Sequence, residues 1–310
     1  MKILKKYKNF YKIVSDVGHK NNQQQQKLDK FLKRSNLIYF KRAEQFSLKF
    51  IKYLKIEKIS FKYAVDCYLK MCFDMMESQK FFLKYKKYPI KQAKTAYKKV
   101  YNNIKEMKSY VFGIALSQFL WPTHYAMYSF FIKNIEFQKK KSINYLEIGP
   151  GHGLFLLNAL ENLGKKSQFD IVDISKTSIK ITKSIIKIFF RKKIKISYFK
   201  KDIFKYSSKK VYDFITLGEV IEHVNKPNSL LKKIRSLLHK DGKVFISTCV
   251  DCPSIDHVYH FKSIGQIEQM IKQNGFKIVS RNILPVEEKS MKYIVANKIT
   301  INYCALIKKI

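Results

Sequence analysis

The stretch "YLEIGPGHGLFLL" (residues 145–157) decides the fold of this chain. A short apolar run ends in three closely spaced glycines, and a second apolar run of helical length follows. Gly149, Gly151 and Gly153 allow the backbone to approach a ligand closely at the start of a helix. The dinucleotide fingerprint places its third glycine at the sixth position, where this chain has Leu154. The turn therefore predicts a strand–turn–helix unit and disfavours NAD.

Short apolar runs alternate with helix-length segments after residue 142, which predicts a parallel sheet with helices on both faces. The last two runs are joined by "PVEEKSMKYIVANK", in which we expect no helix, and this ending predicts a final antiparallel strand. The predicted fold is α/β, with a Rossmann-like, seven-stranded, mostly parallel sheet and an antiparallel last strand. The predicted strands are 143–148, 169–173, 194–199, 212–217, 243–248, 276–283 and 299–306.

Residues 1–138 carry helical periodicity and predict an all-helical N-terminal cap that covers the substrate, while residues 139–310 form the second domain. The run "FQKKKS" (137–142) ends the helical region. Residues 109–132 lack charged side chains over a length that could span a bilayer, but polar residues and Pro122 interrupt them. We therefore predict two buried helices that meet at Pro122.

The formal charge of +39 suggests an anionic partner, yet only five of the 62 basic residues are Arg, the side chain that phosphate recognition favours. A solvated Lys surface is the favoured interpretation. Nucleic acid and weak contact with an anionic lipid surface are the alternatives. No uninterrupted apolar run of signal-peptide length opens the chain, and its five Cys suit a reducing compartment. These features predict a cytoplasmic protein without a transmembrane segment.

Two carboxylates follow neighbouring strands of the predicted sheet. Asp173 ends the second strand, twenty residues beyond Gly153, and Asp202 follows the third strand. A carboxylate in the first position can accept hydrogen bonds from two ribose hydroxyls, and one in the second can accept an adenine amine. Because parallel strand ends meet at one edge of the sheet, the pattern predicts a site for an adenosine that bears no pyrophosphate.

Over about residues 138–310 the sequence resembles the class I S-adenosylmethionine-dependent methyltransferases. The resemblance rests on the segments "LEIGPGHG", "VDIS", "KKDIF", "YDFITLGEVIEHVNKP" and "LHKDGKVFIST". It implies S-adenosylmethionine as the methyl donor. The donor-binding residues that it implies are Glu147, Gly149, Gly151, Gly153, Asp173, Ile174, Asp202, Ile203, Gly218 and Glu219.

The segment "GEVIEHV" (218–224) sets Glu219, Glu222 and His223 at spacings of three and four residues. In one hypothesis Glu222 caps a helix and His223 acts as a general base. In another, the segment resembles the Glu-x-x-Glu-His metal site of the small-RNA terminal 2'-O-methyltransferases and the ubiquinone-pathway O-methyltransferases. That resemblance implies Glu219, Glu222, His223 and a later His257 as ligands of Mg, Mn or Zn, with His260 as a substitute.

A third hypothesis concerns the spacing Cys-x2-Cys-x4-His-x2-His, which resembles a compact zinc site. Its members are Cys249, Cys252, His257 and His260.

We therefore predict an enzyme that transfers a methyl group from S-adenosylmethionine to an oxygen of a small metabolite or sugar. Its predicted catalytic residues are His223, His257 and Glu222, and its candidate substrate residues are His124, Tyr125 and His260. One alternative function is an RNA 2'-O-methyltransferase, which would use the positive charge. The other is a non-catalytic protein that only binds S-adenosylmethionine.

Overall fold

The structure is a computed structural model, and it describes residues 2–136, 142–190 and 194–310. The predicted domain boundary at residues 138 and 139 lies outside the described residues. The chain forms two compact units: Met1–Phe73 with Ser109–Tyr125, and Asp74–Lys108 with Ala126–Ile310. The division between these units falls within three helices rather than in a linker.

The second unit contains a seven-stranded sheet of order β3-β2-β1-β4-β5-β7-β6. Neighbouring strands are parallel except that β7 is antiparallel to both β5 and β6. The predicted fold class is therefore confirmed, including the antiparallel last strand. The strands are β1 (Asn144–Ile148), β2 (Gln168–Asp173), β3 (Lys195–Lys200), β4 (Tyr212–Gly218), β5 (Leu238–Val250), β6 (Phe276–Pro285) and β7 (Ile301–Lys309).

Helices precede the sheet and alternate with its strands, except that only a 3₁₀ turn, Ile203–Lys205, lies between β3 and β4. The first seven are α1 (Lys2–Lys5), α2 (Lys8–Lys20), α3 (Asn22–Lys33), α4 (Leu37–Ile56), α5 (Phe61–Tyr85), α6 (Ala93–Ala96) and α7 (Ile104–Leu120). The others are α8 (Pro122–Glu136), α9 (Leu154–Asn162), α10 (Lys176–Phe189), α11 (Pro227–Leu237), α12 (Ile264–Gln273) and α13 (Met291–Ala296). A π-helical turn, Tyr97–Tyr101, follows α6.

The sheet has an apolar core on each face, because successive side chains of a strand point to opposite sides. On β5, Val244 and Ile246 belong to one buried cluster, together with residues of α11 and α12. Phe245 lies between them in sequence and belongs to the other cluster, with Phe131 of α8 and Leu156 of α9. Helices therefore cover both faces, and the carboxyl ends of the strands remain as the edge where a site can form.

Two local features differ from the sequence prediction. The strand β5 begins five residues earlier than predicted, because Leu238 pairs with Tyr212 across a register shift. The segment before β7 was predicted to hold no helix, and this was wrong: α13 forms there. Ser290 caps it by accepting a hydrogen bond from the Tyr293 N–H, and Ile294 is fully buried. One capped, six-residue helix is too short to give a periodic signal.

The first unit is helical. The Tyr39 hydroxyl of α4 donates a hydrogen bond to the Phe119 carbonyl of α7, and Phe46 stacks on the Phe119 ring. As predicted, two helices meet at Pro122, since α7 ends at Leu120 and α8 begins with the proline. Within the described ranges, no helix has both the length and the apolar character needed to cross a membrane.

Replacing Gly149 with alanine is expected to destabilise the fold by about 1–3 kcal/mol, because Gly149 has φ +66° and an added Cβ would lie 2.8 Å from Val220 Cγ2. The matched control is Gly265→Ala in α12, where an added Cβ would lie 3.8 Å from its nearest neighbour, Ser263 Oγ. The control is expected to be neutral or stabilising by up to about 1 kcal/mol. Urea unfolding of both variants measures the difference, and equal losses would contradict the assignment of Gly149 to a tight turn.

Candidate active site

The glycine turn between β1 and α9 has the backbone that the sequence predicted. Gly149, Gly151 and Gly153 all have positive φ, a conformation that side-chain-bearing residues rarely adopt. The Gly149 N–H donates to the Val172 carbonyl of β2, which joins the turn to the neighbouring strand. Gly153 is the N-cap of α9, so the turn leads directly into a helix N-terminus.

Glu147, at the end of β1, is buried beneath this turn. Its Oε2 accepts a hydrogen bond of 2.7 Å from the Tyr145 hydroxyl, whereas its Oε1 has no hydrogen-bond partner among the described residues. Burial raises the pKa of the Glu147 carboxyl to about 8. An unsatisfied buried oxygen of this kind is expected beside a ligand or when the carboxyl holds a proton.

Asp173, at the end of β2, is held by the start of α10. Its Oδ1 accepts from the Ser175 N–H at 2.7 Å, and its Oδ2 accepts from the Ser178 hydroxyl. Burial raises the pKa of the Asp173 carboxyl to about 6. Each carboxylate oxygen keeps a further lone pair, so the predicted bonds to ribose hydroxyls remain available. The next side chain, Ile174, is 37% exposed.

Asp202 and Ile203 lie beside Asp173, because the Lys201 N–H donates to the Asp173 carbonyl at 2.9 Å. Asp202 is half-buried and caps a short 3₁₀ turn, accepting from the Phe204 N–H, while Ile203 is buried. The fold thus brings the predicted ribose and adenine residues to adjacent strand ends. Their contacts with the donor remain predictions.

The end of β4 turns sharply at Glu219. Gly218 pairs with Ser247, and the Glu219 N–H donates to the Ser247 hydroxyl at 3.1 Å. Glu219 has φ +52°, a strained conformation for a residue with a side chain, and such strain concentrates at functional sites. Burial and the nearby Glu222 raise the pKa of the Glu219 carboxyl well above its ordinary value.

Glu222 and His223 follow in a 3₁₀ turn, Ile221–His223. Glu222 is 1% exposed, and its Oε2 accepts a hydrogen bond of 2.9 Å from the Thr248 hydroxyl. His223 Nδ1 lies 3.1 Å from the Asp256 carbonyl oxygen. Because a carbonyl can only accept, Nδ1 carries the proton and the lone pair of a neutral ring is on Nε2.

His257 joins this pair from the loop after β5. Ligand atoms of Glu222, His223 and His257 lie within 4.8 Å of one another, and Glu219 and Glu222 form a similar group with Cys249. Three residues of the metal hypothesis, Glu222, His223 and His257, therefore form one close group, whereas Glu219 is grouped with Glu222 and Cys249. Burial opposes a charge on His257, but its hydrogen bond with Cys252 and the charges of Cys252, Asp256 and Glu222 outweigh burial and raise its pKa to about 10.

The third hypothesis joined four residues, of which three come together: Cys249, Cys252 and His257 have ligand atoms within 4.8 Å of one another. A hydrogen bond from Cys249 lowers the pKa of the Cys252 thiol to about 5. Burial alone would raise this pKa, whereas His257 also lowers it. His260 does not join this group. Its Nε2 lies 2.6 Å from Asp251 Oδ1.

The other two candidate substrate residues belong to the helical unit. His124 is buried, its Nδ1 lies 2.9 Å from the Ser117 hydroxyl, and burial lowers its pKa to about 4. The Tyr125 ring packs edge-on against Tyr39. These are contacts of a helical core, and a role in substrate binding remains a prediction.

Sequence reasoning missed Tyr101, the last residue of the π-helical turn. Its hydroxyl donates to Asp256 Oδ2 at 3.0 Å, and its carbonyl accepts from the Ser175 hydroxyl at 2.8 Å. It therefore connects the segment that holds Asp173 with the residue that orients His223. A single π-helical turn in a Lys- and Tyr-rich segment gives no periodic signal, although such turns are frequent at functional sites.

Comparison with known proteins identifies the family. A family model described as "Methyltransferase domain" matches residues 124–281. The chain belongs to this methyltransferase family. This is the family of S-adenosylmethionine-dependent methyltransferases that the motifs predicted.

One curated relative of this methyltransferase is "Ubiquinone biosynthesis O-methyltransferase" from Pelagibacter ubique (strain HTCC1062), with 35% identity over 108 residues. The aligned part is 35% of this chain and spans 42% of the length of the relative. Similar solved structures include N-methyltransferase NodS from Bradyrhizobium japonicum WM9 in complex with S-adenosyl-L-homocysteine. That match has 16% identity and a TM-score of 0.47, and it covers 61% of this chain and 88% of NodS.

A second solved structure is 1,6-didemethyltoxoflavin-N1-methyltransferase from Burkholderia thailandensis. It has 13% identity and a TM-score of 0.44, and the match covers 58% of this methyltransferase and 78% of that chain.

Replacing Tyr101 with phenylalanine is expected to lower kcat by about 10-fold while donor affinity changes by less than about twofold, since one hydrogen bond to the buried Asp256 is lost. The matched control is Tyr97→Phe in the same π-helical turn. Within the described residues, the Tyr97 hydroxyl donates its hydrogen bond to the exposed Asn102 side chain. Initial rates and donor-binding titrations test both variants. A loss of donor affinity without a loss of kcat would contradict a role in orienting His223.

Proposed function

We propose that this methyltransferase transfers the methyl group of S-adenosylmethionine to a hydroxyl oxygen of a small molecule. The observation that carries the proposal is the grouping of Glu222, His223 and His257 just beyond the end of β4. In an open α/β sheet, ligands bind at these carboxyl ends. The O-methyltransferase name of the Pelagibacter relative also supports oxygen as the methyl acceptor.

His223 is the proposed general base. The Asp256 carbonyl holds its Nδ1–H, which leaves Nε2 to take the proton of the acceptor hydroxyl. Burial opposes ionisation of Asp256, but His223 and His257 outweigh burial and lower the pKa of its carboxyl. An ionised Asp256, with Oδ2 3.6 Å from His223 Nδ1, stabilises the positive charge that His223 acquires.

Methyl transfer from a sulfonium is an in-line displacement, so positioning accounts for much of the rate. The nucleophilic oxygen must lie about 3 Å from the methyl carbon, in line with the departing sulfur. The glycine turn, Asp173 and Asp202 bind and orient the donor in this proposal, and the His223 ring orients the acceptor hydroxyl while it removes the proton. Glu222 is 1% exposed, so its carboxylate is shielded from bulk water.

The residues at this site also fit a divalent cation. Within the described part of the chain, Glu219 Oε1 and Glu222 Oε1 are buried without hydrogen-bond partners. His223 and His257 each donate Nδ1–H to a backbone carbonyl, as metal-binding histidines commonly do, which leaves Nε2 for a cation. Glu219, Glu222, His223 and His257 would hold it. A cation bound there would occupy His223 Nε2 and would take the place of the general base, because it would lower the pKa of a coordinated hydroxyl.

The proposal is tested by incubating the purified protein with methyl-labelled donor and a fractionated cell extract, with and without chelator. Label is expected in the small-molecule fraction, in a product that resists protease and nuclease. Nuclease-sensitive label would instead support the RNA 2'-O-methyltransferase alternative, and absence of label from every fraction would support a protein that only binds the donor. A chelator-sensitive rate would support the cation.

A further inference from the structure

Two buried cysteines lie against the proposed active site, and the proposed methyl transfer uses neither of them. Cys249 is 2% exposed and Cys252 is 5% exposed, at the end of β5 and just after it. His257 lies beside them, and its Nδ1 donates to the Cys252 carbonyl, which leaves Nε2 for a cation. Ligand atoms of these three residues lie within 4.8 Å of one another. Two thiols and an imidazole at such separations are a ligand set for a soft or borderline cation.

A second, independent observation is the unsatisfied carboxylate beside the thiols. Glu222 is 1% exposed and has no hydrogen-bond partner for Oε1 in the described parts of the chain. Glu222 forms one close group with Cys249 and Glu219, and another with His257 and His223. The Thr248 hydroxyl fixes its other oxygen. Carboxylates that bind cations are commonly oriented by such a hydrogen bond.

We propose that Cys249, Cys252, His257 and Glu222 bind a thiophilic divalent cation of the zinc class. Two thiolates, one imidazole and one carboxylate supply the four ligands that zinc takes in proteins. The two thiols give up their protons to solvent when the cation binds. Mg²⁺ is a hard cation that takes oxygen ligands in octahedral geometry, so this site would not hold it.

The inference changes the division of roles in the site. The position of the cation next to the reacting groups rests on the proposed function. Cys249 and Cys252 take the place of Glu219 and His223 as ligands. His223 then keeps Nε2 for the acceptor proton, and Glu219 remains beside the donor turn. The general base and the ligands of the cation are therefore different residues. The Glu-x-x-Glu-His spacing alone could not make this distinction.

The test is a cobalt titration of the intact, metal-stripped protein under reducing conditions, with neither donor nor acceptor present. One equivalent of Co²⁺ is expected to produce a thiolate-to-cobalt charge-transfer band. Zn²⁺ is expected to abolish the band, and a large excess of Mg²⁺ is expected to leave it unchanged. Because this is measured on the unmutated chain, it does not depend on a variant that folds.

Cys249→Ser and Cys252→Ser are each expected to weaken zinc binding by about 100-fold or more and to reduce the band. The matched control is Cys72→Ser, a half-buried thiol in the helical unit, which is expected to change neither. Circular dichroism of each variant shows whether it folds. The proposal would be overturned if the unmutated protein failed to bind cobalt. It would also be overturned if cobalt bound without the charge-transfer band and both cysteine variants kept an unchanged zinc affinity.

The two proposals can fail separately. A charge-transfer band without methyl transfer to any acceptor would leave the cation site standing and remove the proposed function. If methyl transfer persisted in chelator and the protein gave no charge-transfer band, the proposed function would stand and the cation site would be removed.

Discussion

Replacing His223 with glutamine is expected to lower kcat for methyl transfer by about 10²–10⁴-fold, the usual contribution of a general base, while donor affinity changes by less than about twofold. The geometry gives the reason. The Asp256 carbonyl fixes the ring through Nδ1, so Nε2 is the nitrogen that can take a proton. Glutamine can keep a polar group in this place but cannot accept a proton at neutral pH.

The matched control for this variant is His239→Gln. His239 lies near the start of β5, at the opposite end of the strand from Cys249, and its side chain is partly exposed. It is expected to keep the full rate. Single-turnover rates with saturating donor separate the chemical step from binding. A His223→Gln enzyme with an undiminished rate would eliminate His223 as the base.

The second large effect is expected at Asp173. Asp173→Asn is expected to weaken donor binding by about 100-fold, because the ionised carboxylate can accept two charge-assisted bonds from ribose hydroxyls and the amide can accept with only one oxygen. The matched control is Asp202→Asn. Asp202 is half-buried and is predicted to accept a single bond from the adenine amine, which the amide oxygen can replace, so its effect is expected to be below about 10-fold.

The same carboxyl predicts the pH dependence of donor binding. Burial raises the pKa of Asp173 to about 6, so the group is ionised above that pH and neutral below it. Only the ionised form accepts through both oxygens. Donor affinity is therefore expected to fall as the pH decreases through about 6, and the fall should be absent in Asp173→Asn. Calorimetric titration with S-adenosylhomocysteine across pH 5–8 measures both effects. An unchanged affinity in the variant would remove Asp173 from the donor site.

The sheet and the positions of the proposed donor-binding residues within it could be predicted because their signals are local. Gly149 needs a positive φ wherever a strand turns sharply into a helix, and Asp173 follows an apolar run that ends where its strand ends. The approach of His257 to Glu222 could also be predicted, since β4 and β5 are adjacent parallel strands and their following loops share one edge.

Other features depend on tertiary structure and left no local signal. Tyr101 reaches Asp256 across 155 residues of sequence. The spacing of Cys249, Cys252, His257 and His260 could not show that Asp251 takes His260 as its partner. The two compact units divide inside α5, α7 and α8, and uninterrupted helical periodicity cannot indicate such a division.

The central claim is that this site transfers a methyl group to oxygen with His223 as the base. The most direct measurement uses donor carrying a deuterated methyl group, with the small-molecule product from wild type and from His223→Gln analysed by mass spectrometry and NMR. We predict an O–CD₃ ether in the wild-type reaction and at least about a 100-fold lower yield from the variant. Deuterated methyl on nitrogen or carbon, or equal yields from the two proteins, would contradict the account.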